Sequence, residues 1–148
     1  DQAAEVRQVL AAVPEPFDIA WPNIDPGHDE VWREIRTCEK QCHRFINKSP
    51  REYMAALAAA SVCVGNSSSF ARDAGMVGTP VVLVGDRQRN RQTSSNVMRV
   101  PCREQEIREA VNKQLRHGPY RRSKLYGDGN VGANFIEALR RVHCNQSS

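Results

Sequence analysis

The chain has 148 residues, a formal charge of +4, 40% hydrophobic residues and only 6% aromatics. That length supports one domain with its own core and no need of disulfides. The mild charge and sparse aromatics argue against a nucleic-acid partner, and no apolar stretch is long enough for a signal peptide or a membrane span.

Five cysteines at irregular spacing, Cys38, Cys42, Cys63, Cys102 and Cys144, point to a reducing, cytoplasmic setting rather than a disulfide framework. Cys38 and Cys42 have His43 and His28 nearby but form no paired C-x-x-C, so no metal site is expected. The chain opens on Asp1 rather than Met, which points to a processed product or a piece of a longer polypeptide.

In chain order, Val6, Val9, Leu10 and Val13 recur at helical spacing, predicting a helix over Glu5–Val13 that stops at Pro14. Phe17–Trp21 reads as a strand closed by the Pro22–Gly27 loop, and Asp29–Cys38 as a helix with Val31, Trp32 and Ile35 on one face. Arg44–Ile46 reads as a short strand. Ser49-Pro50-Arg51-Glu52 is a capping box with proline at the first helical position, so a helix starts there and runs to Ser61.

A buried strand then begins at Val62 and passes into Gly65-Asn66-Ser67-Ser68-Ser69-Phe70-Ala71-Arg72-Asp73, a run of small polar residues opening a helix. Helix starts leave backbone N–H groups unpaired and carry partial positive charge, so this order suits an anion, above all a phosphate. Asn66 or Ser67 can cap, Ser67 and Ser68 let the backbone approach an oxyanion, and Asp73 is placed to face a sugar hydroxyl. An ordinary capped turn fits the same residues.

Val81–Val84 is continuously β-branched or aliphatic, the pattern of a strand buried on both faces, and it ends in Gly85-Asp86-Arg87-Gln88-Arg89-Asn90-Arg91. In an extended loop residues two apart share a side, so Arg87, Arg89 and Arg91 are candidates to converge on a second phosphate; a solvated basic loop is the alternative. Glu104–Gln114 follows as a helix with Ile107, Val111 and Leu115 as its stripe. A glycine-punctuated turn over 124–130 leads to a last helix carrying Phe135, Ile136, Leu139 and Val142. Residues 144–148 are expected to fray, leaving 1–143 as the domain. The alternation predicts an α/β fold, a doubly wound Rossmann-like parallel sheet with helices on both faces and a site at the strand carboxyl ends.

Four blocks in order resemble the carboxyl-terminal half of the UDP-N-acetylglucosamine 2-epimerases, especially the hydrolysing branch. They are Pro22-Asn23-Ile24-Asp25, Gly65–Ser69, Gly85-Asp86-Arg87-Gln88 with Arg91, and Ser123–Asn130. The resemblance covers nearly the whole chain. It implies the UDP-binding half of a fold like that of the B-type glycosyltransferases. Ser67 and Ser68 would then hold the diphosphate, Asn66 would sit beside them, and Asp73 would meet the ribose. Arg87 would lie near the nucleotide, Ser49 and Tyr53 beside the uracil, and Asn23 along the cleft.

The family's reaction begins with anti elimination of UDP, which removes the C2 proton and leaves a glycal. Hydrolysing members then add water to release N-acetylmannosamine. The acid and base belong to an amino-terminal half, so no catalytic residue is nominated here, no cofactor is implied, and the isolated chain is expected to be inactive. The implied partners are UDP or UDP-N-acetylglucosamine, the missing amino-terminal domain, and further copies in a homo-oligomer. Arg33 and Arg36 resemble positions near a regulatory subunit contact, a solvated helix face being the alternative.

Two positions depart from the family pattern. Asp73 stands where glutamate is usual, and Phe70 where glycine is usual. The donor-binding domain of a B-type glycosyltransferase and a non-catalytic regulatory or assembly domain are the competing readings.

Overall fold

The computed structural model of the chain describes residues 2–20 and 28–145. The expected Pro22–Gly27 loop, Asn23 included, lies outside the described residues. The elements in order are α1 Gln2–Ala12, β1 Phe17–Ala20, α2 His28–Thr37, β2 Cys42–Phe45, α3 Pro50–Ala59, β3 Cys63–Gly65, α4 Ser68–Arg72, α5 Ala74–Val77, β4 Val81–Val84, β5 Val97–Val100, α6 Glu104–His117 and α7 Val131–Asn145.

The protein is α/β with parallel strands throughout, as the alternation predicts. Among the described residues the strands hydrogen-bond as two separate ladders, β1–β2 and β3–β4–β5, where the sequence suggests one sheet. Helices cover both faces of the three-stranded ladder, and the alternation along β4 shows how. Val82 and Val84 pack with Ala12 of α1 and with Ile107, Ala110 and Val111 of α6. Val81 and Leu83 point the other way, into a cluster with Leu57 of α3, Cys63, Ala71 and Ala74. Burial pushes the Cys63 thiol up to about 12, so it packs as a small inert hydrophobe.

Several boundaries differ from the pattern-based expectation. The second strand is Cys42–Phe45 rather than Arg44–Ile46, and Ile46 is 72% exposed beyond its end. Leu115 lies off the buried face of α6, which is formed by Ile107, Ala110, Val111 and Gln114. The helix after β3 is broken at Asp73, the C-cap of α4 and the N-cap of α5. The last helix runs through Asn145, and it exposes Val131, Phe135, Ile136 and Leu139.

The base of the larger ladder is stitched by polar groups. Gln114, fully buried, donates from Nε2 to the carbonyls of Val81 (2.8 Å) and Asn96 (2.9 Å), and its Oε1 accepts from the Tyr120 hydroxyl (2.7 Å). Gly78 has φ +79°, and a Cβ there would stand 2.2 Å from the Tyr120 carbonyl oxygen, so only glycine fits. Tyr120 N–H donates back to the Gly78 carbonyl at 2.8 Å.

Candidate functional site

The two loops singled out by sequence leave the same end of neighbouring strands, since β3 and β4 pair in parallel with Gly65 opposite Leu83. Gly65, at φ +148°, turns the chain out of β3, and the Phe70 ring edge lies 3.4 Å from where its Cβ would be. Phe70 packs against the cluster of Leu57, Cys63, Ala71, Ala74, Val81 and Leu83.

Ser67, not Asn66, is the cap. It has extended backbone (φ −68°, ψ 137°), and its Oγ accepts from the Ser69 N–H at 3.3 Å. Ser68 is the first residue of α4. The Ser69 hydroxyl bonds to Ser67 Oγ at 3.0 Å and makes a short hydrogen bond to the Tyr53 hydroxyl. A chain of three hydroxyls therefore runs from the exposed Ser67 to α3. Burial raises the Tyr53 phenol above its ordinary value, which keeps it neutral and able to donate or accept.

Asn66 is used to join loops. Its carbonyl accepts from Gln88 Nε2 at 3.3 Å, and its own Nδ2 donates to Glu5 Oε2 of α1 at 3.4 Å. The arginine loop is not extended. Arg89 N–H donates to the Asp86 carbonyl (2.9 Å) and Arg91 N–H to the Gln88 carbonyl (3.1 Å), making consecutive turns, so the expected same-side alignment of the three arginines fails. Arg91 is instead held by Gln88 Oε1 (2.9 Å), and Arg99 of β5 braces the loop through the carbonyls of Gln88 (2.8 Å) and Arg91 (2.6 Å). Arg87 is left exposed beside this brace.

The remaining nominated residues separate. The Asp73 carboxylate is bidentate to its neighbour Arg72, at 2.6 and 3.0 Å, so a sugar hydroxyl would have to share it. Ser49 is committed to its helix: its hydroxyl and N–H both donate to Glu52 Oε2 (2.7 and 2.8 Å) while its Oγ accepts from Glu52 N–H (3.3 Å). These bonds hold the Glu52 carboxyl below its usual value. Arg33 and Arg36 are exposed on α2, with the Arg36 guanidinium 5.7 Å from the Trp32 ring centre.

Sequence reasoning gave no role to four participants: Ser69 and Gln88, which it quoted only as parts of motifs, and Glu5 and Arg99. Ser69 had a signal, because the second residue past a serine cap is one whose N–H the cap oxygen takes. Glu5, far away in the chain, had none. A separate open depression of about 290 Å³, lined by Thr93, Ser94, Ser95, Arg121, Arg122, Ser123 and Leu125, shares no residue with the serine loop.

The pattern of the UDP-N-acetylglucosamine 2-epimerase family matches residues 1–140. The chain is 32% identical over 123 residues to a protein from Legionella pneumophila named UDP-N,N'-diacetylbacillosamine 2-epimerase (hydrolyzing), covering 82% of this chain and 33% of that protein. It is 26% identical over 114 residues to a UDP-N-acetylglucosamine 2-epimerase of Neisseria meningitidis serogroup B, covering 75% of this chain and 30% of that one. The chain thus spans about a third of the length of these relatives. With nearly its whole length matched, the chain belongs to the UDP-N-acetylglucosamine 2-epimerase family.

Proposed function

We propose that this chain is the UDP-holding portion of a hydrolysing UDP-N-acetylglucosamine 2-epimerase, whose acid–base residues lie in an amino-terminal half of the same polypeptide. The observation that carries the reading is the fusion of the two loops at one strand mouth through the Asn66 carbonyl and Gln88. It supports a single rigid seat with the backbone of Ser67 and Ser68 at the start of α4 on one side and the Arg87 guanidinium on the other. In this reading the Ser67–Ser69–Tyr53 hydroxyl chain fixes the serine side without placing any negative charge there.

Such a seat acts on the leaving group. As the bond from the sugar to the diphosphate breaks, charge grows on the departing oxygen, and donors already fixed in place stabilise it more than they stabilise the ground state. Nothing in this role abstracts the C2 proton, so the isolated chain is inactive and needs its amino-terminal partner domain, within a homo-oligomer.

Titration calorimetry of the full-length protein with UDP tests this. UDP binds, and Arg87→Ala weakens binding at least about tenfold, or roughly 1.4 kcal/mol, with an unchanged melting temperature. Absence of UDP binding by the full-length protein defeats the proposal. Release of UDP from UDP-N-acetylglucosamine by the 148-residue chain alone would defeat the division of labour.

A further inference from the structure

The open depression remote from the serine loop takes its shape from two glycines. Residues 92–96 lead into β5, residues 119–125 follow α6, and both segments close onto α5 and its cap. At Gly75 a Cβ would stand 3.0 Å from Ser94 Oγ and 3.4 Å from Asn96 Oδ1, and at Gly78 it would meet the Tyr120 carbonyl. Without side chains at these two positions the segments approach the helix directly.

The stretch that carries Arg121 and Arg122 is tied at both ends. Tyr120 N–H donates to the Gly78 carbonyl and Ser123 N–H to the Gly75 carbonyl, each at 2.8 Å. The Tyr120 hydroxyl donates to Gln114, and Ser94 Oγ donates to Ser123 Oγ at 2.7 Å. The two arginines therefore stand on a short bridge whose backbone is already ordered, which lowers the entropic cost of using them to hold a ligand.

The side chains around the depression offer donors without matching negative charge. Arg7, Arg72, Arg103 and Arg108 each hold a carboxylate elsewhere on the molecule. Arg121 and Arg122 line the depression and are exposed; among the described residues no carboxylate lines it with them, and neither is held in an ion pair. Ser123 Oγ accepts from the Ser94 hydroxyl and from Leu125 N–H (3.1 Å), which occupies its two lone pairs and leaves its own proton to donate. Leu125, 39% exposed, adds one apolar wall.

Two unpaired guanidiniums beside a hydroxyl donor complement a small anion that presents several oxygens. A phosphate suits them best, because its oxygens accept the parallel N–H pairs of a planar guanidinium and its second charge is met by the second arginine. The volume of about 290 Å³ stands near the lower end of small-molecule pockets, roughly 300 Å³, and Leu125 gives an organic group something to lie against. We propose that this depression binds a small phosphate monoester, with Arg121 and Arg122 on the phosphate oxygens, the Ser123 hydroxyl donating beside them, and Leu125 against the organic part. The proposal needs nothing from the UDP reading, since the depression and the serine loop have no residue in common.

Calorimetry on the full-length protein tests it, with glycerol 3-phosphate and inorganic phosphate as the two probes. Glycerol 3-phosphate binds at least about threefold tighter than inorganic phosphate, and Arg121→Ala combined with Arg122→Ala weakens it at least about tenfold. Arg87→Ala leaves it within about twofold, which separates this site from the serine loop. A second variant, Ser95→Glu, sets a carboxylate beside the arginines and removes binding while both arginines stay in place. Failure of the full-length protein to bind either probe overturns the proposal, and so does binding that survives both variants. Loss of binding with Arg87→Ala overturns it as well, because the phosphate would then belong to the serine loop. Inorganic phosphate binding as tightly as the ester overturns the assignment of the organic part.

Discussion

The β3–β4–β5 half and the β1–β2 half are made of the same parts, parallel strands under helices, but they are held together differently. Every residue of β4 is at most 2% exposed, and the clusters on its two faces are almost wholly aliphatic. The β1–β2 half leans on polar stitching. Lys40 caps the end of α1, Glu15 accepts from Gln41 N–H at 2.7 Å, and Arg44 spans to the carbonyls of Ile35 and Cys38 at 3.0 and 3.1 Å. The contrast teaches that a parallel strand is buried by its neighbours on both edges, and an edge without one must be supported from its loops.

The sharpest way to break the comparison is at the base of the stronger half. Gly78→Ala combines a left-handed backbone with a Cβ driven into the Tyr120 carbonyl, and it should cost about 4 kcal/mol in denaturant unfolding. A loss under 1 kcal/mol would mean the 118–123 segment is free to move. Next comes a matched pair: Leu83→Ala should cost about 3 kcal/mol and Ile19→Ala about 1, because only the first leaves a sealed cavity. Equal losses would erase the distinction between the halves in the short chain.

The smallest effect belongs to the α3 cap. Ser49→Ala should cost about 1 kcal/mol at neutral pH. Because the bonds from Ser49 hold the folded Glu52 carboxyl below its usual value, the stabilisation it supplies is present above that usual value and is lost as pH falls through the folded one. The difference between wild type and Ser49→Ala should therefore narrow as pH falls through the folded value, down to the part supplied by the Glu52 N–H bond to Ser49 Oγ. Curves that stay parallel there would count against the reciprocal bond.

Much of this arrangement was legible in the residues because the signals were local. The capping box of Ser49 and Glu52, the aliphatic run of β4 and the small-residue turn after β3 each announce themselves within a few positions. Strand β5 did not. Val97-Met98-Arg99-Val100 is an edge strand with an arginine turned outward to brace a loop, and it follows a polar stretch that hides its start. The break at Asp73 was equally hidden, since the residue keeps helical dihedrals (φ −86°, ψ −33°). The arginine alignment failed because its premise was an extended chain, and two turns replaced it. Contacts such as Glu5 with Asn66 join positions 61 apart in sequence, and no local pattern encodes them.

The buried Gln114 amide has a reach beyond its own helix. By gripping the carbonyls of two strands and the Tyr120 hydroxyl together, it pins the outgoing chain at the end of the sheet remote from the serines. Ser123 N–H continues the seam to the Gly75 carbonyl at 2.8 Å. The chain that goes on to α7, with its uncovered row of Phe135, Ile136 and Leu139, thus leaves the sheet from a point gripped by one carboxamide.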